Sequence, residues 1–72
     1  MFRYVVVQED LFSPELGCYR SYGIGAMNGK GERVAFVSDV SPDKAVAEEI
    51  AKRCTRGQLA PEQLLDVVLN SI

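Results

Sequence analysis

The sequence predicts a small α+β domain: a three-stranded antiparallel sheet (β-β-β) followed by two helices packed on it. Three observations carry this. The first forty residues hold apolar segments rich in β-branched and aromatic residues, the composition of strands. Asn28-Gly29 between two of these segments is a hairpin signal, because both residues tolerate positive φ. After Ser41-Pro42-Asp43 the apolar period changes to that of a helix. Strands and helices are thus segregated along the chain. The 72 residues fit one domain spanning 1–72. A chain this short buries only about 60% of its unfolded surface, so its core is thin.

The first strand is expected over Phe2–Gln8, with Phe2, Tyr4 and Val6 on one side and Val5 and Val7 on the other. Both sides are apolar. Glu9–Gly17 contains Glu-Asp, Ser-Pro and Gly, which read as a loop. Leu11, Phe12 and Leu16 in that loop are too apolar for a solvated linker, so they are expected to fold back as a lid on the core. Cys18–Met27 is the second strand and Glu32–Val40 the third, with Lys30-Gly31 able to widen the turn between them. Tyr22, Ile24 and Ala26 then share a face with Ala35 and Val37. Tyr19, Gly23 and Met27 share the other with Val34 and Phe36.

Ser41 can cap the first helix, Pro42 suits its first position, and Asp43 complements the dipole. Val46, Ala47, Ile50, Ala51 and Cys54 form one apolar stripe, and Gly57 is a left-handed terminator. Pro61 opens the second helix, with Leu59 and Leu64 spaced as a hydrophobic staple. Its cap position is Ala60, whose methyl cannot accept a hydrogen bond. Leu64, Leu65, Val68, Leu69 and Ile72 make its expected buried stripe.

Eight basic and ten acidic residues give a formal net charge of −2. That argues against a general nucleic-acid binder, which needs a basic footprint. The absence of histidine removes the commonest general base and the commonest transition-metal ligand. No secretory leader pattern opens the chain, and no apolar run approaches the ~20 residues of a membrane span. The expected setting is cytoplasmic, with no membrane association. Cys18 and Cys54 are expected as free thiols, since neither belongs to a C-x-x-C pair or a disulfide framework.

Each candidate for chemistry has a plainer reading beside it. Gly23-Ile24-Gly25 invites a nucleotide-loop reading, but Asn28 stands where the dinucleotide fingerprint needs glycine, and a strand follows. Strand bending, a bulge and a hairpin turn explain the Gly23–Gly31 segment more simply. Lys52, Arg53 and Arg56, with Lys44, could form a phosphate or RNA contact; as a solvated helix end they match the dipole. Glu48 and Glu49 are better read as i,i+4 partners of Lys52 and Arg53 than as acid/base carboxylates. Asp39 and Asp66 complete no constellation. Cys18 shares a strand face with Arg20, which could lower its pKa, although a small apolar strand residue is the simpler reading. Tyr4, Tyr19 and Tyr22 could stack on bases, but the chain lacks the basic neighbours this requires.

From Tyr22-Gly23-Ile24 onward, the chain resembles a family of short uncharacterised bacterial proteins, chiefly clostridial and other Firmicute, a domain of unknown function. The matching residues are Tyr22-Gly23-Ile24, Val37-Ser38-Asp39-Val40-Ser41, Cys54, Leu59-Ala60-Pro61, Leu64 and Asp66-Val67-Val68. The resemblance implies a cytosolic bacterial protein with no assigned activity, so it brings no functional residues. The chain departs from the pattern at Ala60, Gln63 and Asn70, where Ser, His and Asp are more usual. Those departures weaken any acid/base or metal set on the last helix.

Two short helices can cover one face of a three-stranded sheet but not both. A soluble monomer rarely leaves an apolar patch of several hundred Å² bare. The expectation is therefore a non-enzymatic module for protein interaction or self-association, most simply a homodimer, with no cofactor or metal. Its working surface would be the second sheet face, carried by Tyr4, Tyr19, Tyr22 and Phe36, and a strand edge at Val5–Val7. A charge in place of an aromatic on that face is expected to give a folded monomer. The alternative is a small-ligand or nucleotide-binding regulator that uses the Gly23–Gly31 hairpin.

Overall fold

Ladder pairing, more than side-chain propensity, sets the length of the first two strands. In the computed structural model, which describes residues 1–71, β1 spans Arg3–Ser13 and β2 spans Gly17–Met27. They pair antiparallel without a break, from Arg3 opposite Met27 to Ser13 opposite Gly17. β3 (Arg33–Ser41), α1 (Lys44–Arg56), a 3₁₀ turn (Pro61–Gln63) and α2 (Leu64–Ser71) follow. The order β1-β2-β3 places β2 in the centre and β1 on an edge. This is the expected α+β architecture, and its edge strand contains the expected Val5–Val7. Ile72, expected on the last apolar stripe, lies outside the described residues.

The Glu9–Gly17 loop is the main correction. Its first half is strand, and its turn is only Pro14–Leu16, closed by Gly17 at φ 76°. Phe12 and Leu16 do not fold back as a lid: they are 71% and 72% exposed. Glu and Asp are poor strand formers alone. Here cross-strand partners hold them, with Arg20 Nε 3.5 Å from Asp10 and Glu9 opposite Ser21. Eleven strand residues span about 36 Å at ~3.3 Å each. That accounts for most of the molecule's 39 Å long axis. The end of the hairpin therefore reaches beyond the helices.

Both helices pack on one face of the sheet. The core joins Tyr4, Ile24, Ala26 and Val40 to Ile50, Ala51 and Cys54 of α1 and to Leu64 and Val68 of α2. Phe2, Val6, Ala35 and Val37 pack against it from the same side. Every β1 and β2 member of this set is an even-numbered residue, as a period of two requires. The β2–β3 register shifts between Tyr22 and Ile24 and again between Ala26 and Met27. At the second shift Met27 faces Arg33 rather than Val34, so Arg33, not Val34, joins Phe36 on the far side. Val34 instead lines a cleft with Phe2, Ala35 and Pro61.

The helix ends also differ from expectation in detail. Asp43, not Ser41, caps α1, accepting from the Ala45 N–H at 3.0 Å. The Ser41 hydroxyl instead accepts from the Asp43 N–H. Gly57 stays right-handed, and Gln58 takes the left-handed position at φ 48°. The Gln58 amide explains this choice: it donates to the Thr55 and Phe2 carbonyls and accepts from the Phe2 N–H. Ala60 makes no side-chain cap, as expected. On α2 only Leu64 and Val68 are buried; Leu65 and Leu69 face solvent rather than the core.

Candidate functional site

The four residues expected on one working face divide between two. Tyr4 is 5% exposed in the core, and its hydroxyl donates to the Leu59 carbonyl. Its position under α1 removes it from any surface. Tyr22 stands on the same side of β2 as Ile24 and Ala26, half-buried. Only Tyr19 and Phe36 belong to the face without helices, beside Val5, Val7 and Leu11.

Gly23 and Gly25 form the floor of that face. A Cβ on Gly23 would stand 2.7 Å from the Phe36 ring and 2.7 Å from the Val37 carbonyl oxygen. A Cβ on Gly25 would meet the Arg33 stem at 3.1 Å. The missing side chains let Phe36 and Arg33 lie flat across the sheet, with the guanidinium 4.6 Å from the ring centroid. This close packing occupies the space above the two glycines. Gly29 and Gly31 lie farther on, in the exposed turn, where Gly31 takes φ 82°. Asn28 and Gly29, expected at positive φ, do not adopt it. Asn28 instead organises the turn through its side chain, which accepts from the Lys30 and Glu32 N–H groups.

At the first register shift a polar knot spans all three strands. Asp39 sits at φ 54°, an unusual value for a residue other than glycine. This turns its carboxylate onto the bare face, where it accepts from the Tyr19 hydroxyl at 2.9 Å and the Ser21 hydroxyl at 2.5 Å. Glu9 reaches across from β1 and accepts from the Ser38 hydroxyl and the Asp39 N–H, each at 2.8 Å. Ser21 is fully buried. The knot substitutes for ladder bonds interrupted by the bulge. The hydrogen bond to Asp39 pushes the Tyr19 phenol above its ordinary pKa, with help from burial and from the charges of Asp39 and Glu9. Tyr19 is thus a protonated donor here, and the cluster contains no free nucleophile–base pair.

The edge of β1 is the other exposed feature. The Tyr4 N–H points outward and donates to the Thr55 hydroxyl at 3.0 Å. The Phe2 N–H and carbonyl point the same way and bind Gln58. Alternation in an antiparallel ladder then turns the backbone groups of Val6, Gln8, Asp10 and Phe12 outward too. Among the described residues these have no helix side chain to meet them. Beside this edge lies an open groove of about 710 Å³, floored by Tyr4, Val5, Val6 and Ala51. Its rim carries Arg3, Lys44, Lys52 and Arg56 against a single acid, Glu48.

The basic residues weighed as a patch are therefore divided. Lys52 and Arg56 line the groove, whereas Arg53 turns to Glu49 at 3.4 Å on another face. Glu48 approaches Lys44 at 3.9 Å rather than Lys52. Lys44, named with that patch, lines the groove as well, whereas Arg3 was not legible as a groove residue, because only the topology brings β1 alongside α1. Both cysteines are free: Cys18 is exposed on the hairpin, and Cys54 is buried, its thiol pKa raised by desolvation. Among the described residues, no helix is long and apolar enough to cross a membrane.

A family model described as "Family of unknown function (DUF6514)" matches residues 1–72. The chain belongs to that family, and the match extends the resemblance seen from Tyr22 onward over the whole sequence. No curated protein and no solved structure matches it.

Proposed function

We propose that this member of the DUF6514 family is a non-enzymatic, cytoplasmic self-association module that acts as a homodimer. One observation carries the reading: both helices cover the same face of the sheet, which leaves the opposite face and the β1 edge from Val6 onward without a covering element. Half-buried Val5, Val7, Leu11, Tyr19 and Phe36 line that face. Phe12, Leu16, Leu65 and Leu69 are more than half exposed elsewhere. Apolar exposure on this scale in so short a chain favours assembly.

The test is solution mass by light scattering across a concentration series. A particle of twice the 7.9 kDa chain mass supports the reading. A monomer at every concentration overturns it.

A further inference from the structure

We infer that the partner at the β1 edge is a second copy of this chain, paired antiparallel about a two-fold axis through Gln8. The inference rests on the homodimeric reading and specifies the surface and register that produce the dimer.

The free part of the edge limits the register, and the side chains choose within it. Side chains of α1 and the segment after it already satisfy Phe2 and Tyr4, so an incoming strand finds its first open backbone groups at Val6. Val6, Gln8, Asp10 and Phe12 present theirs outward. A two-fold axis at Gln8 pairs Val6 with the partner's Asp10, Gln8 with the partner's Gln8, and Asp10 with the partner's Val6. This engages Val6, Gln8 and Asp10, leaves Phe12 beside the partner's Tyr4, and keeps the bonds to Thr55 and Gln58 intact. Two sheets then become one, the usual way to remove an exposed edge.

The side chains agree with that register. Val6, Asp10 and Phe12 lie on the α1 side of the sheet by alternation. The register therefore brings the partner's Asp10 into a groove rimmed by Lys44, Lys52 and Arg56. It carries the partner's Phe12 to the Tyr4 end of the same groove, covering an aromatic ring that is 71% exposed in one chain. On the other side, Val5 meets the partner's Leu11, and the two bare faces become continuous. An acidic, aromatic half of β1 thus complements a basic, apolar groove, and symmetry makes each such contact twice.

The experiment is light scattering on the full chain and its variants, with circular dichroism to check folding. Gln8→Pro removes an outward N–H that makes no bond within the chain, and Gln8→Ala is its control. Asp10→Lys reverses the charge entering the groove; Asp10→Lys with Lys44→Glu and Lys52→Glu restores the complementarity. The expected result is a wild-type dimer that Gln8→Pro weakens on the order of tenfold or more, because two symmetry-related hydrogen bonds disappear together. Asp10→Lys weakens it as well, Gln8→Ala leaves it unchanged, and the charge-swapped chain dimerises again. Asp10→Lys also breaks the 3.5 Å pairing with Arg20 inside the hairpin, so the charge-swapped chain, which keeps that loss but restores the groove pairing, decides the matter even if Gln8→Pro does not fold. A dimer indifferent to Asp10→Lys but dissociated by Phe36→Glu overturns edge pairing and leaves self-association standing through the bare face. A wild-type monomer at all concentrations overturns both.

Discussion

The two faces of one sheet are finished by different physics. The inner face carries Tyr4, Ile24 and Ala26, and helices supply the opposing surface. The outer face has glycine at the two central positions of β2, and its own neighbours Phe36 and Arg33 lie down over them. The first arrangement removes large side chains from water completely. The second shields backbone with half-exposed groups and leaves their outer surfaces wet. Packing energy should therefore be concentrated on one face, while tolerance of charge and capacity for association belong to the other.

Truncation of the inner face should have the largest effect. Ile24 has no exposed surface, and Ile24→Ala should cost about 2–5 kcal/mol, the range for cavities in packed cores. Urea denaturation monitored by circular dichroism measures this directly. A loss near zero would mean that the inner face is not the core. Gly23→Val comes next, at about 1–3 kcal/mol from overpacking. Adding Phe36→Ala should recover only part of the loss, since the Val37 carbonyl stands as close to the new Cβ as the ring does. Full recovery would show that the ring alone limits the site.

The helical half of the core was legible in the sequence, and the choice of sheet face was not. The period of two grouped Ile24 with Ala26 without saying which face the helices cover, and the period of 3.6 put Ile50, Ala51, Cys54, Leu64 and Val68 on apolar stripes that do reach the core. Those periods fail at insertions. Ser38 and Asp39 enter an irregular stretch of β3, and a bulge leaves no signature in apolar spacing. Val40 consequently reaches the core and Asp39 the outer face. Tyr4 was expected on the working face, whereas its ring packs in the core and the Leu59 carbonyl satisfies its hydroxyl there. The long hairpin escaped notice because Glu9-Asp10 and Ser13-Pro14 read locally as loop. Their partners, Arg20, Ser38 and Asp39, are distant in sequence. The groove residues Arg3 and Lys44 became neighbours only through the path of the chain.

Alkaline titration draws on both faces. Tyr4 and Cys54 within the core are raised chiefly by burial, and Tyr19 outside it chiefly by its bond to Asp39. Each is a group whose folded form holds its proton more tightly than the unfolded chain does. Their stabilisation is therefore complete below the ordinary value, 9.0 for the thiol and 10.0 for the phenols, and is lost as pH rises through the higher folded values. Midpoints of urea unfolding should be level near pH 8 and fall above pH 9. Tyr19→Phe should make that fall shallower. An unchanged slope would assign the whole alkaline response to the inner face.

The smallest expected effect tests the claim that the outer cover is thin. Arg33→Met keeps an aliphatic stem over Gly25 but removes the guanidinium from the face of Phe36. An exposed cation–π pair contributes about 0.5–1 kcal/mol, which in a chain of this size shifts the melting temperature by about 2–8 °C. A shift in that range would confirm that Phe36 rests on the glycine floor mainly by its own shape. A loss as large as that of Ile24→Ala would mean that Arg33, Phe36, Gly23 and Gly25 form a second core. The two faces would then be equivalent in energy, and the argument that the outer one is reserved for a partner would lose its physical basis.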